Sequence, residues 1–393
     1  MKKTIRNLLL VACATSCAAG ADYSEHPDAV KFSQTMVERH QFESADVERW
    51  LQDAVRVDSI IAAMQRPAEK VKPWHQYKKH FISDLRISRG VDFWSANRAN
   101  LERAEREFGV DPAIIVSIIG VETNYGSNVG NYRVIDALST LAFDYYTEID
   151  KRESRRLFFT AELENLLLLA RDQRQDPLTL MGSYAGAMGW GQFMPSSYRN
   201  FAVDFDGDDF ADIWTNPTDA IGSVANYFTQ HGWQPKQAVA LRAIKKTPLD
   251  MADHDDSETD YQVVTGDTLF AIASKYGVST AELQRHNNLA SADQLLVGQR
   301  LQIKTHFTVN KLGRPSMSLA ELRRRGLTSR EPADDSRRAL PLMLDNGRED
   351  EYWLGLDNFY VISRYNPRVK YAMAVYQLSE LIRSQYCGSE NPC

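Results

Sequence analysis

The chain has 393 residues with ordinary apolar and charged fractions, 43% and 25%. Disorder is therefore not the default, and the length leaves room for two or three domains and one large core. A formal net charge of −6 is small for this length and argues against a nucleic-acid binder, which would show a basic patch.

Lys2, Lys3 and Arg6 precede an apolar run from Leu8 to Ala14, and small residues follow. This is the pattern of a secretory signal over 1–21, too short to be a permanent membrane anchor. Ala19-Gly20-Ala21 offers a cleavage site before Asp22, while Leu10-Val11-Ala12-Cys13 and Ala14-Thr15-Ser16-Cys17 look like lipoprotein processing sites. Soluble export and lipid anchoring both stay open. Cys387 and Cys393 bracket a tight C-terminal loop that an oxidising compartment can close as a disulfide.

From 27 to 108 apolar residues recur at three- and four-residue spacing, as in Val47, Trp50, Leu51, Ala54 and Val55, so helices with buried stripes are expected. Asp111-Pro112 then opens a dense apolar run that ends in Gly120-Val121-Glu122-Thr123-Asn124-Tyr125-Gly126. Asp111 is a good N-cap, Pro112 suits the first helical position, and Gly126 can take the left-handed conformation that stops a helix. Glu122 falls in the last turn. Ile118 and Ile119 lie one turn earlier on the same side, and the negative end of the helix dipole disfavours its ionisation. Both effects keep a carboxyl protonated near neutrality, as a general acid requires. The alternative is a Glu that turns outward to solvent.

Two more helices are expected at 134–143 and 157–170, with the charged segment Tyr146 to Arg156 as a surface loop between them. Gly182-Ser183-Tyr184-Ala185-Gly186-Ala187-Met188-Gly189-Trp190-Gly191-Gln192 follows; its glycines with interleaved hydroxyl, amide and aromatic groups read as the floor of a groove. Asp204, Asp206, Asp208 and Asp212 take positions 1, 3, 5 and 9 of a cation loop, with the Phe210 carbonyl between them and Asp219 further on. Positions 6 and 12 are Asp209 and Thr215 instead of Gly and Glu, so an acidic surface turn is the competing reading. Converging carboxylates favour a hard cation, calcium above others.

Past a polar linker, residues 261–304 form a short βααβ pattern: a strand at Tyr261, helices from Thr268 and Ser279, and a closing strand to Lys304. Such a unit carries little catalytic material and reads as a binding module. The remainder mixes short strands and basic residues up to 358. The stretch Phe359 to Asn366 then leads into a last helix, where Tyr365, Asn366 and Tyr371 crowd the start.

Gly-Val-Glu-Thr-Asn-Tyr-Gly and Gly-Ser-Tyr-Ala-Gly-Ala-Met-Gly-Trp-Gly-Gln-Phe-Met-Pro-Ser-Ser-Tyr, with Ala220 to Phe228 and Arg364-Tyr365-Asn366, closely resemble the lytic murein transglycosylase B family. The resemblance covers most of 28–233 and 315–383. It implies a mainly α (α+β) fold: a lysozyme-like helical core at 111–233 with its cation loop at 204–219, an N-terminal α domain at 22–110, a small β-rich domain at 234–260 and 305–358, and a segment 359–393 completing the cleft. It makes Glu122 the catalytic acid/base. Ser183, Gln192, Tyr227, Tyr365, Asn366 and Tyr371 would bind substrate near it, with Arg155 and Arg156 as the family's paired arginines. A structural calcium would sit among Asp204, Asp206, Asp208, Phe210, Asp212 and Asp219, and no cofactor serves the chemistry.

Residues 261–304 resemble a LysM module through Tyr-Gln-Val-Val-Thr-Gly-Asp-Thr-Leu and Leu-Val-Gly-Gln-Arg-Leu, which implies binding of N-acetylglucosamine-containing glycan. The whole then reads as a monomeric enzyme of the Gram-negative periplasm, soluble or lipid-anchored to the outer membrane. It would cleave peptidoglycan strands between N-acetylmuramic acid and N-acetylglucosamine to leave 1,6-anhydromuramoyl ends. The rival class is a non-catalytic wall binder in which the module dominates, and release of muropeptides from sacculi separates the two.

Overall fold

The structure is a computed structural model that describes residues 22–66, 72–246, 257–276, 280–291, 295–305, 309–347 and 349–388. The proposed signal segment lies outside them. Among the described residues no helix is long and apolar enough to cross a membrane.

The chain forms two compact units. The first takes the chain up to Gln65 together with Tyr132–Leu180 and Tyr184–Gly186, and the second takes Arg66–Asn131, Met181–Ser183 and Ala187 onward. These boundaries differ from those drawn on the sequence, where 22–110 was one α domain. Apolar periodicity marks which residues are buried but not against which later segment.

In the first unit the helices Pro27–His40, Ser44–Asp53 and Asp58–Gln65 join Val134–Ser139 and Glu153–Asp172. The segment expected as a surface loop is largely structured: Thr140–Ile149 is a π-helix and Tyr146 is buried. Its charged residues conceal this because they cover rings; the Arg155 guanidinium lies 5.5 Å from the Tyr146 ring and 4.9 Å from Phe159, a cation–π packing that hides aromatic surface.

The second unit is built around the helix Pro112–Thr123. Asp111 caps it, accepting from the Ala113 N–H at 2.9 Å, with Pro112 in the first turn. Every residue of this helix is buried except Glu122. The last helix, Val369–Gly388, packs along it, and the Ser117 hydroxyl donates to the Val375 carbonyl at 2.7 Å. Asp357–Tyr365, expected only as a lead-in to that helix, is a helix of its own. Cys387 in the final turn is disulfide-bonded, and Cys393, its expected partner, lies outside the described residues.

The β-rich part is a five-stranded antiparallel sheet in the order Met317–Ser318, Arg338–Asp345, Asp350–Gly355, Ala240–Lys245, Leu327–Ser329. One face packs on a core of Ala243, Leu322, Leu327 and Leu354. Between its strands lies the βααβ unit, in which Ser257–Gln262 pairs antiparallel with Arg300–Thr305 over Leu269–Tyr276 and Thr280–His286. It has its own core, including Val263, Leu269, Ile272, Tyr276, Leu283, Leu301 and Ile303.

Candidate active site

The Glu122 helix stops abruptly because Asn124, Tyr125 and Gly126 all have positive φ, 52°, 59° and 78°. Asn124, not Gly126, is the left-handed C-cap; Asn is the non-glycine residue that tolerates that region best. Gly126 is needed for a different reason: a Cβ there would meet the Trp190 ring at 2.5 Å. Thr123 locks the same junction, its hydroxyl donating to the Trp190 carbonyl at 3.0 Å and accepting from the Gly126 N–H. The glycine-rich segment is thereby fixed one residue from Glu122.

Glu122 is half-buried and accepts a 2.5 Å hydrogen bond from the Tyr371 hydroxyl. Burial pushes its pKa up to about 7, with the Tyr371 bond opposing part of the rise by favouring the ionised form. Burial also holds the Tyr371 and Tyr365 hydroxyls well above their ordinary range, with the Glu122 charge adding to both. Tyr365 donates to the Gly191 carbonyl at 2.5 Å, and its ring lies 4.7 Å from that of Tyr227. Tyr227 in turn donates to the Arg364 carbonyl at 2.8 Å and stacks on His231. These tyrosines are neutral donors with fixed directions.

Gln192, at φ 52°, is held by donating its side-chain amide to the Gly189 and Val129 carbonyls. Ser183 closes the turn of the same segment, its hydroxyl accepting from the Ala187 N–H at 3.1 Å. Asn366 is half-buried at the end of Asp357–Tyr365, and its side-chain amide has no hydrogen-bond partner among the described residues. Tyr77 belongs with this group although no motif marked it: its hydroxyl feels the Glu122 charge, while burial raises it and Arg368 opposes. Its helix, Trp74–Tyr77, is one turn long, too short to show periodicity.

Arg155 and Arg156 lie in the first unit, where Arg155 packs on Tyr146, Phe158 and Phe159, and Arg156 makes a two-pronged pair with Glu153. Asp136 and Asp144, the other acids near the motif in sequence, belong to that unit too. Asp136 accepts from the Val55 N–H and from Arg133, and Asp144 from the Tyr23 hydroxyl at 2.5 Å. The Glu122 carboxyl itself is shifted by burial and by its bond to Tyr371.

In the acidic loop, ligand oxygens of Asp204, Asp206, Asp208 and Asp219 lie within 4.8 Å of one another. Asp212 is outside this group; its carboxylate accepts from the Trp214 and Thr215 N–H groups and the Thr215 hydroxyl. The Phe210 carbonyl accepts from the Asp212 N–H. The loop runs into the glycine-rich segment, since Trp190 donates its N–H to the Ile213 carbonyl and its indole N–H to the Trp214 carbonyl. In a second cluster, His26, Asp144 and Glu148, both acids pair with the Arg56 guanidinium, and Glu148 also lies 3.5 Å from the His26 ring.

A family model described as "Transglycosylase SLT domain" matches residues 24–300 and 278–380. The chain is 38% identical over 372 residues to membrane-bound lytic murein transglycosylase B of Escherichia coli (strain K12), covering 92% of this chain and 84% of that protein. Soluble lytic transglycosylase SltB1 of Pseudomonas aeruginosa is 42% identical, with a TM-score of 0.70 over 91% of this chain and 99% of that one. Escherichia coli lytic transglycosylase Slt35 in complex with bulgecin A is 36% identical, with a TM-score of 0.71 over 94% of this chain and 96% of that one; the same enzyme has also been solved in complex with calcium. The sequence resemblance is thus borne out along most of the chain, which belongs to the SLT-domain family of lytic murein transglycosylases.

Proposed function

We propose that the chain cleaves peptidoglycan strands between N-acetylmuramic acid and N-acetylglucosamine without water, with Glu122 as sole acid and base. What supports this is one carboxyl raised to about 7 by burial and held by Tyr371, while Asp136 and Asp144, which follow it in sequence, are tied to partners in the other unit. A retaining hydrolase needs a second carboxylate about 5–5.5 Å away, and an inverting one a base about 6.5–9.5 Å away. With one carboxyl, the nucleophiles come from the substrate. Glu122 gives its proton to the glycosidic oxygen as the bond to muramoyl C1 breaks, and the N-acetyl carbonyl oxygen closes on C1 as an oxazolinium. The Glu122 carboxylate then takes the proton of the muramoyl C6 hydroxyl, whose oxygen attacks C1 and reopens the ring. The products are a 1,6-anhydromuramoyl end and a free 4-hydroxyl, and Glu122 is protonated again.

Asn366, with its amide unengaged, is placed to orient the N-acetyl group, and Tyr227, Tyr365, Ser183 and Gln192 shape the surface around it. Tyr371 steadies Glu122 in its ionised interval. Mass spectrometry of digested sacculi tests the scheme: anhydro ends are expected, and products heavier by one water overturn it.

The acidic loop fits a calcium ion, since Asp204, Asp206, Asp208 and Asp219 offer converging hard oxygens and Phe210 a carbonyl. Such an ion would offset half of the charge of these four carboxylates and brace the Ile213–Trp214 anchor of Trp190. The βααβ unit is a LysM module in this reading. Its exposed Val264, Phe270, Leu296 and Val297 supply an apolar surface for N-acetylglucosamine rings and keep the enzyme on the wall. The leader over 1–21 places the enzyme in the periplasm of a Gram-negative bacterium, free or lipid-anchored to the outer membrane.

A further inference from the structure

Tyr125 stands three residues after Glu122 with φ 59°, between Asn124 and Gly126, which are left-handed as well. An aromatic residue in that region carries backbone strain, which persists only where its surroundings hold it there. Here they do. The Tyr125 N–H donates to the Ile119 carbonyl at 3.3 Å, and the side chain turns back along the helix that carries Glu122. Its ring lies over Gly120, where a Cβ would fall 2.5 Å from the hydroxyl and 2.6 Å from Cζ.

The hydroxyl then crosses to the neighbouring helix Asp84–Ala96 and donates to the Arg86 carbonyl at 2.8 Å. A Cβ on Gly90 of that helix would come within 2.6 Å of it. Two packed helices thus each leave out a side chain to admit the same ring. The Phe93 ring stacks on it at 5.7 Å and lies 5.9 Å from Trp190. Burial keeps the Tyr125 hydroxyl protonated well above its ordinary range, with the Arg86 charge opposing, so it remains a donor.

At 3.6 residues per turn, Gly120 faces about 200° round the helix from Glu122. The ring therefore lies behind the acid and does not touch what the acid touches. In front, Tyr371 holds Glu122 Oε1 at 2.5 Å; behind, Tyr125 ties the last turn to the helix Asp84–Ala96. Helix ends fray, and a bond as short as the one to Tyr371 tolerates little movement of the turn that carries its acceptor. We propose that Tyr125 is a positioning residue: its wedge between Gly90 and Gly120 and its bond to the Arg86 carbonyl hold the last turn still, so that Glu122 and Tyr371 stay in contact through the reaction. This rests on the Glu122 reading above and adds the residue that aims it.

The test is a double-mutant cycle of Tyr125→Phe with Tyr371→Phe, read as kcat and KM for muropeptide release across pH, at temperatures where circular dichroism shows each variant folded. Tyr125→Phe keeps the ring and removes only the bond to the Arg86 carbonyl. It should lower kcat by about fivefold, the worth of one neutral hydrogen bond, with KM kept within about twofold. The alkaline limb of the kcat/KM profile should move upward, as it does for Tyr371→Phe. In the Tyr371→Phe background the same change should cost less than about twofold, because the contact it serves is already gone. Gly90→Ala, which crowds the hydroxyl from the other helix, should reproduce the kcat loss and the limb shift. Losses that multiply in the double variant, a changed KM with kcat kept, or an unmoved limb overturn the proposal. So does a lower unfolding midpoint in Tyr125→Phe with unchanged kinetics. Products heavier by one water would refute the Glu122 scheme instead, and the cycle still decides Tyr125.

Discussion

The Tyr371 hydroxyl meets Glu122 Oε1 at 2.5 Å across 249 residues of chain, between the two helices whose packing defines the second unit's core. The bond favours the ionised carboxyl, so it works against burial and tunes how long Glu122 keeps its proton. In Tyr371→Phe the Glu122 pKa should move above about 7. The alkaline limb of the kcat/KM profile would then shift upward while the rate falls by about 10- to 100-fold, the worth of a hydrogen bond to a charged group. A pH–rate profile with an unmoved limb would contradict this.

Glu122→Gln should reduce turnover by about 10²–10⁴-fold or more, the usual contribution of general acid–base catalysis, as measured by muropeptide release. Its effect on stability runs the other way. Because the folded pKa is raised, the folded chain retains a proton that the unfolded chain releases. That contribution is complete below the ordinary carboxylate range and is lost as pH climbs through about 7. Relative to wild type, the Gln variant should gain about 1–3 kcal/mol between pH 4 and pH 8, checked by urea unfolding at both.

How far these residues could be read in advance depends on how locally their roles are encoded. The Glu122 helix was legible because Asp111, Pro112 and the apolar run state its beginning and burial within a dozen residues. Its stop was misassigned by two positions, since Gly126 is the residue that usually ends helices and the contact that requires it, Trp190, is distant in sequence. Tyr77 carried no signal at all. Tyr146 to Arg156 looked solvated because arginines that pack on rings have the same letters as arginines in water.

Gly126→Ala should cost stability through both strained φ and the clash with Trp190. A loss of about 2 kcal/mol or more in denaturant unfolding, with weaker activity, is expected. A neutral result would mean that the Trp190 ring moves aside freely.

Calcium should raise the melting temperature of the wild-type chain, since at 100 times Kd a ligand contributes about 2.7 kcal/mol. Asp204→Asn with Asp208→Asn should abolish the increment in scanning calorimetry without unfolding the chain. Magnesium should substitute poorly, as it demands a tighter octahedron. An identical increment in the double variant would place the ion elsewhere.

Replacing 257–305 by a short Gly/Ser linker should leave the rest folded, because the excised part has its own core. Cleavage of soluble strands should persist while cosedimentation with sacculi drops. Undiminished cosedimentation would remove the module from the wall-binding account.

The pairing of Ser257 with Thr305 has a consequence for tolerance to change. A piece whose first and last residues lie side by side enters its host as one lengthened connection, and each doubling of such a connection costs only about 0.6 kcal/mol. Lengthening or shortening this piece should therefore leave the strands on either side of it in register.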